Sequence, residues 1–270
     1  MCGIFGIFNN LQHHNISNEY IETLFYCSQG RGPENSTLTS YTNLPYHYTL
    51  GFHRLAINGY QDSNAMQPFH IDDIQLICNG EIYNHKELFD MINIEPKSQS
   101  DCEIILHLYK KYGISQTLQM IDGVFSFILM DLKNNLFFVA RDTFGIRPLF
   151  VNTITDEIGN QTFVFASELK SANIVLDIDN KSYSEVKQFD PGHVSFFEIN
   201  KYDTEKIAYK ETLMFSSPNS FSVIKYSNLN SKRYINGACA AVFSKLEDAV
   251  IKRVENTERD VACLLSGGFP

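Results

Sequence analysis

Cys2, Arg54, the Asn79-Gly80 pair and Asp101 are the residues with which this chain could do chemistry. Loss of the initiator methionine, which a small second residue permits, would leave Cys2 with a free α-amino group beside its own thiol. Such an amine titrates near 7.7–8.0, far below a lysine, so a useful fraction is neutral at pH 7. It can then act as a general base toward the nucleophile on the same residue. Arg54 stands inside an apolar run, His53-Arg54-Leu55-Ala56-Ile57, where an unpaired guanidinium is costly and an anionic partner, internal or bound, is expected. Asn79 and Gly80 bring an amide side chain and a glycine N–H together, as an oxyanion requires. Each also has a plainer reading. Cys2 could be incidental in a buried first strand, Asn79-Gly80 a hairpin turn, and Asp101 a complement to a helix dipole.

The elements around these residues follow from pattern. Gly3–Phe8 reads as a strand, with Gly3 open to a close approach of backbone or substrate. Ser17 caps a helix to about Cys27, with Tyr20, Ile21, Leu24 and Phe25 at helical spacing. Gly30–Glu34 is a turn, either a plain loop or one held near a ligand by Arg31. Strand is expected from Tyr46 to Asn58 and from Ile74 to Cys78, ending in a turn at Asn79-Gly80 with Asn84 capping a helix to about Met91. Ser100 and Glu103 have the form of a capping box on a helix with Ile104, Ile105, Leu108 and Tyr109 on its apolar face. A short helix beyond Gly113 leads to paired strands 124–131 and 136–141, and further strands fall at 162–166 and 192–197. Strands with helices between them, not strictly alternating, indicate an α+β fold. Lys201–Arg233 is polar and reads as a linker. Asn236 then caps an amphipathic helix to about 255, and Asp260–Leu265 reads as a buried strand running into Ser266-Gly267-Gly268.

Composition narrows the function classes. The 270 residues are 44% apolar and 20% charged, with 22 basic against 31 acidic side chains, a formal charge of −9. No basic stripe suggests nucleic acid, no apolar run approaches the roughly 20 residues of a membrane span, and the N-terminus is not a secretory signal. The six cysteines form no C-x-x-C pair and point to reduced thiols in the cytoplasm. The scattered histidines offer no metal site, so no metal is expected.

Several stretches together resemble the class II, N-terminal-cysteine glutamine amidotransferases, and among these the glutamine-hydrolysing asparagine synthetases most closely. They are Cys2-Gly3-Ile4, Arg31-Gly32-Pro33-Glu34, Arg54-Leu55-Ala56-Ile57, Asn79-Gly80-Glu81-Ile82-Tyr83-Asn84, Ser100-Asp101-Cys102-Glu103, Ala140-Arg141-Asp142 with Gly145-Ile146-Arg147-Pro148-Leu149, and Ala166-Ser167-Glu168-Leu169-Lys170. The resemblance implies a four-layer αββα Ntn-hydrolase sandwich with Cys2 at its edge. It divides the chain into a glutaminase domain at 2–200, a linker at 201–235, and at 236–270 the beginning of an α/β ATP-pyrophosphatase domain. It also assigns roles. Cys2 would attack the glutamine side-chain amide, Asn79 and Gly80 would form the oxyanion hole, Arg54 would clamp the glutamine carboxylate and Asp101 would receive its ammonium. Glu81 would line the same pocket, with Leu55, Ala56, Ile57 and Asn58 as its other wall.

Three departures from the family pattern stand out. Glu34 replaces the usual aspartate, and Ala56 replaces a common serine. Pro270 stands where the pyrophosphate-binding loop begun by Leu265, Ser266, Gly267 and Gly268 would have its aspartate. The resemblance therefore implies glutamine hydrolysis without a cofactor, with ATP, Mg and aspartate used only in a full-length enzyme or with a separate synthetase chain. A fragment, a truncated gene product and one piece of a split enzyme all fit, and a homodimer is compatible. Two alternatives remain at this point: the glutaminase domain of another class II family, such as glucosamine-phosphate synthase or the phosphoribosyl-pyrophosphate amidotransferase, and a degenerate binding or regulatory domain.

Overall fold

The computed structural model describes residues 1–8, 16–41, 47–157, 159, 161–174, 183–200, 206–217 and 232–264. Twelve strands among these make two antiparallel sheets. The first contains β1 (Gly3–Phe8), β2 (Asn35–Tyr41), β3 (Tyr48–Arg54), β8 (Phe150–Thr155), β9 (Gln161–Ala166) and β10 (Tyr183–Gln188), in the order β10-β8-β9-β1-β3-β2. The second contains β4 (Phe69–Ile71), β5 (Ile74–Ile82), β6 (Gly123–Asp131), β7 (Leu136–Arg141), β11 (His193–Asn200) and β12 (Lys206–Met214), in the order β12-β11-β7-β6-β5-β4. The helices are α1 (Asn18–Tyr26), α2 (His85–Ile92), α3 (Ile104–Met120), α4 (Leu169–Ala172) and α5 (Lys232–Glu255).

The layering follows from period-two side chains on strands buried on both faces. Ile4 and Phe8 of β1 join Phe163 and Phe165 of β9, Ile128 and Met130 of β6, and Phe137 and Val139 of β7 in a core between the sheets. Phe5 and Ile7 turn the other way, onto Ile21, Leu24 and Phe25 of α1 and Ala172 of α4. Phe125, Phe127 and Leu129 of β6 pack instead on Leu88, Phe89, Ile104, Ile105 and Leu108 of α2 and α3. Three apolar layers separate four layers of structure, an αββα sandwich. Ser17 caps α1 by accepting from the Tyr20 N–H at 3.2 Å, and burying its three large side chains stabilises the packing by roughly 1.5–3 kcal/mol each.

Several expectations are corrected. Asn79-Gly80 is not a turn: β5 runs through it, with Asn79 opposite Ser126 and Gly80 opposite Phe125. Glycine is required there because a Cβ would lie 2.9 Å from the Phe125 Cβ and the Val124 carbonyl oxygen. The Ser100–Glu103 capping box does not form. Glu103 accepts instead from the N–H groups of Lys97 and Ser98 at 2.9 and 2.7 Å and from the Ser98 hydroxyl at 2.6 Å, and it contacts His107 at 3.0 Å. Asn84 makes no side-chain cap on α2; it ties Met120 and Asp122 together. Gly3 meets only ordinary contacts at 3.5 Å.

The second sheet also extends past residue 200, because β12 pairs with β11 inside the stretch read as linker. The final helix begins at Lys232, so Asn236 lies within it. Residues 261–264 form no strand and are exposed, Leu264 fully so; among the described residues no neighbouring strand offers them a ladder. Leu265, Ser266, Gly267 and Gly268 lie outside the described residues.

Glu103 supplies a stability test. Burial pushes its carboxyl up, but the bonds from His107, Ser98 and Lys97 outweigh burial and hold it below its usual value. A depressed folded-state pKa gives stability that is present above the unfolded value and lost as pH falls through the folded one. Glu103→Gln should cost about 2–3 kcal/mol near pH 7. In thermal melts the gap from wild type should close as pH drops below the usual glutamate range; a pH-independent gap would contradict this account.

Candidate functional site

The site is assembled where β1 begins. Lying between β3 and β9, β1 is fixed on both edges, and the residue just before it is pinned separately. The Arg31 Nε donates to the Cys2 carbonyl at 2.9 Å, so Arg31 anchors the backbone of Cys2. Ser167 exchanges two bonds with Ile4, both 3.0 Å. The Cys2 thiol stands 3.4 Å from the Leu55 N–H, which donates to it, and 3.4 Å from the Leu55 carbonyl, to which it can donate. Leu55 reaches this place because Gly32 lets the Arg31 turn press against β3. A Cβ on Gly32 would lie 2.5 Å from the Arg54 nitrogen and closer still to the His53 carbonyl.

One cavity collects nearly every residue singled out from sequence. Cys2, Arg54, Leu55, Ala56, Ile57, Asn58, Asn79, Gly80 and Asp101 all line it. Arg54 is buried, and its guanidinium donates to the carbonyls of Asp62, at 3.2 Å, and Gly59. In place of an internal carboxylate, a pair of backbone dipoles answers the buried charge. Asp101 accepts from the Ile82 N–H at 2.6 Å and from the Asn58 amide at 3.3 Å. Burial pushes its carboxyl above the usual range, against those two bonds. Asn79 is 1% exposed, and its Nδ2 has no hydrogen-bond partner. Buried polar groups are nearly always satisfied, so an orphan of this kind calls for an explanation.

Glu81 does not line the cavity. Its carboxylate is ion-paired with Arg147, and it is Arg147 that enters the lining. The loop carrying Arg147 is built by the neighbouring pair Arg141-Asp142. Arg141 donates to the carbonyls of Arg147 at 2.8 Å, Phe189 at 2.5 Å and Gly145 at 2.7 Å. Asp142 accepts from the N–H groups of Phe144, Ile146 and Arg147 at 3.0–3.1 Å. The motifs Ala140-Arg141-Asp142 and Gly145-Ile146-Arg147-Pro148-Leu149 do not by themselves give Arg147 a role. The signal was available in a buried Arg-Asp pair closing a loop whose one further cation must go somewhere.

Gln67 was also missed: its side chain bonds the Cys78 N–H at 2.6 Å and the Cys78 carbonyl at 3.1 Å, continuing the ladder where β4 stops. Ser100, Cys78 and Cys102 complete the polar and sulfur-bearing lining. Cys102 is held well above the usual thiol range by its contact with Cys78, by burial and by Asp101. Burial also raises the Cys2 thiol, opposed by the Leu55 N–H, the chain amine and Arg147. The amine, at Met1 in this chain, is lowered by burial.

An N-terminal-strand cysteine facing a cavity with an orphaned amide, an Asp101 carboxylate and two arginines is a site of the amidotransferase kind. A family model described as a glutamine amidotransferase domain matches residues 1–188, and the chain belongs to that family. Its curated relatives include proteins named asparagine synthetase [glutamine-hydrolyzing]. That of Mesocricetus auratus is 34% identical over 279 residues and that of Homo sapiens 32% over 279, each covering 100% of this chain. The chain spans about half the length of these relatives, 46% of each. Among solved structures, a glutamine phosphoribosylpyrophosphate amidotransferase from B. subtilis in complex with ADP and GMP superposes with a TM-score of 0.56 at 21% identity, covering 80% of this chain and 49% of its own. A structure described as the allosteric regulatory enzyme of purine biosynthesis gives 0.57 at 21%, with the same coverage. These two show the fold.

The close approach at Gly32 can be tested directly. Gly32→Ala should destabilise the protein by about 1–3 kcal/mol in urea titration, the usual cost of overpacking. It should also change the alkylation rate of Cys2, because Leu55 must move. Unchanged stability and thiol reactivity together would show that the turn does not bear on β3.

Proposed function

We propose that this chain hydrolyses glutamine to glutamate and ammonia with Cys2 as nucleophile, as the glutaminase half of an asparagine synthetase. The observation that carries the reading is the orphaned Asn79 amide in the cavity that Cys2 lines. The burial-raised thiol needs a base, and removal of Met1 supplies one in the Cys2 α-amine. Met1 is 51% exposed, within reach of an aminopeptidase.

In this reading the amine takes the thiol proton, and the sulfur forms a bond to the side-chain amide carbon of glutamine. The carbonyl electron pair moves to oxygen, where the Asn79 Nδ2 and the Gly80 N–H receive the developing charge. Collapse of this intermediate breaks the C–N bond, and ammonia leaves with the proton returned by the ammonium. Water, deprotonated by the same amine, then cleaves the thioester to glutamate and regenerates the thiol. Arg54, freed in part from its carbonyls or using its remaining donors, suits the substrate carboxylate, since a planar fork matches it. Asp101 suits the ammonium, and the backbone of 55–58 forms the intervening wall. Glu81 acts on this pocket through Arg147.

The ammonia would serve ATP-dependent asparagine formation from aspartate. We assign that step, with its ATP and Mg, to a domain of which residues 236–270 are the proposed beginning and whose remainder lies in the part of the relatives' length that this chain does not span. A homodimer and a separate synthetase chain remain compatible arrangements. The six free cysteines agree with a reducing cytoplasm, and among the described residues no helix is long and apolar enough to cross a membrane.

Cys2→Ala should abolish glutamine-dependent ammonia release, and so should a form that retains Met1. Asn79→Ala should lower kcat by about 10²–10³ with much less change in KM. Steady-state ammonia assays on protein of sequenced N-terminus check all three; activity in the Cys2→Ala protein would remove the mechanism.

A further inference from the structure

The segment Ala56–Tyr60, whose first three residues form a wall of the cavity, is held from outside by residues about two hundred positions away. Glu258, just after α5, accepts from the Gly59 N–H at 2.8 Å and the Tyr60 N–H at 3.4 Å through one carboxylate oxygen. Its own N–H donates to the Ile57 carbonyl at 3.2 Å. Arg259 is ion-paired with one oxygen of Glu34, while the other oxygen of Glu34 accepts from the Ala56 N–H at 2.7 Å. The Arg259 guanidinium also lies 4.2 Å from the centre of the Tyr60 ring. The end of α5 docks beside them: Asn256 donates to the Tyr83 carbonyl at 2.9 Å, Lys252 pairs with Asp122, and Arg253 lies 5.0 Å over the Tyr83 ring.

From inside, the same segment is held by Arg54 on the Gly59 carbonyl and by Asn58 on Asp101. Gly59 is therefore gripped at both ends of its peptide units. Its φ of +64° and the crowding of a would-be Cβ against Ala65 (3.0 Å) and Gln99 (3.2 Å) reserve the position for glycine. A carboxylate on two successive N–H groups is a charge-assisted contact, stronger than a neutral one. Nothing within residues 56–60 supplies an equivalent.

We propose that Glu258 and Arg259 are positioning residues for the glutamine pocket, and that the segment 256–260 is a latch whose docking sets the Ala56–Tyr60 segment. The proposal rests on the glutaminase reading above for its substrate. It makes glutamine affinity depend on how the segment after α5 is seated. Whatever displaces 256–260 loosens the pocket without touching Cys2, Asn79 or Gly80.

The test uses the full chain with Glu258→Ala, Glu258→Asp and Arg259→Ala. Glu258→Ala should raise the KM for glutamine about tenfold, a change of about 1.4 kcal/mol, with kcat within about twofold of wild type. Glu258→Asp should recover part of the loss, which a merely structural defect would not. Hydrogen exchange, read in parallel, should speed up in a peptide covering 56–60 and stay unchanged in β5 and β6. An unchanged KM, or a kcat that falls with KM unmoved, would overturn the proposal, and so would equal exchange at 56–60. If the wild type releases no ammonia from glutamine, the Cys2 reading fails by itself, and the exchange result alone decides whether the latch exists.

Discussion

The structure depends on one constraint: the first strand of the chain lies in the interior of a sheet. β1 is hydrogen-bonded to β3 on one side and β9 on the other, and all six of its residues are buried. A chain terminus is ordinarily the least ordered part of a domain. Here it is among the most constrained, because freeing it would open two strand ladders and two apolar layers at once. The consequence is chemical. A residue at the very start of that strand inherits its rigidity, so Cys2 can be held by a carbonyl-to-Arg31 bond and a 3.4 Å contact with the Leu55 N–H. Apart from the Arg31 side chain, the precision is supplied by backbone already fixed in the sheet.

Much of this was legible in the sequence, and where it was not, the reasons are physical. The central strands are legible because β1, β6, β7 and β9 are near-continuous apolar runs, as strands buried on both faces must be, whereas their stacking into a sandwich is legible only through the family resemblance. β2 and β10 escaped notice because Asn35–Tyr41 and Tyr183–Gln188 are polar edge strands with little to bury. The same holds for β12, whose exposed side chains include Tyr209 and Leu213. Asn79-Gly80 misled for a different reason. Asn-Gly favours a turn when nothing else speaks, but β6 offers nine consecutive partners to β5, and the ladder outweighs the local preference. Glu103 likewise gave up a cap of about 1 kcal/mol for several bonds inside a loop.

The site was legible to the extent that its residues share one cavity, and not in how each is held. Arg54 was expected to need an anion because burial penalises an isolated charge. The structure answers with carbonyl oxygens, which solvate a guanidinium without neutralising it and so leave the cavity a positive charge. Strand alternation puts Glu81 on the same face of β5 as Asn79, two residues before it, so spacing alone places it in the pocket. Its carboxylate meets Arg147 instead, and no spacing rule links positions 81 and 147. Long-range pairings of this kind, and those joining Glu34, Arg259 and Glu258 to the 56–60 segment, are set by topology alone.

The balance of hydrogen bonding around the cavity carries one further implication. Asp101 has a donor on each carboxylate oxygen, and Gln67 answers both polar groups of Cys78. Among the residues lining the cavity, the buried side-chain atoms left unanswered are the Asn79 Nδ2 and the Arg147 Nε, and both are donors. A cavity with spare donors is matched by a guest that brings oxygen, and most strongly by one whose oxygen gains negative charge, since a charged acceptor roughly doubles the strength of the bond. Neutral water would satisfy such donors less strongly, and an ammonium would be repelled by them. Orphaned donors held rigidly by β5 and by the Arg141-Asp142 loop cost free energy in the folded protein. An acceptor recovers that cost, and in the proposed reaction it would be the oxyanion, to which the cavity would then be more complementary than to the amide from which it forms.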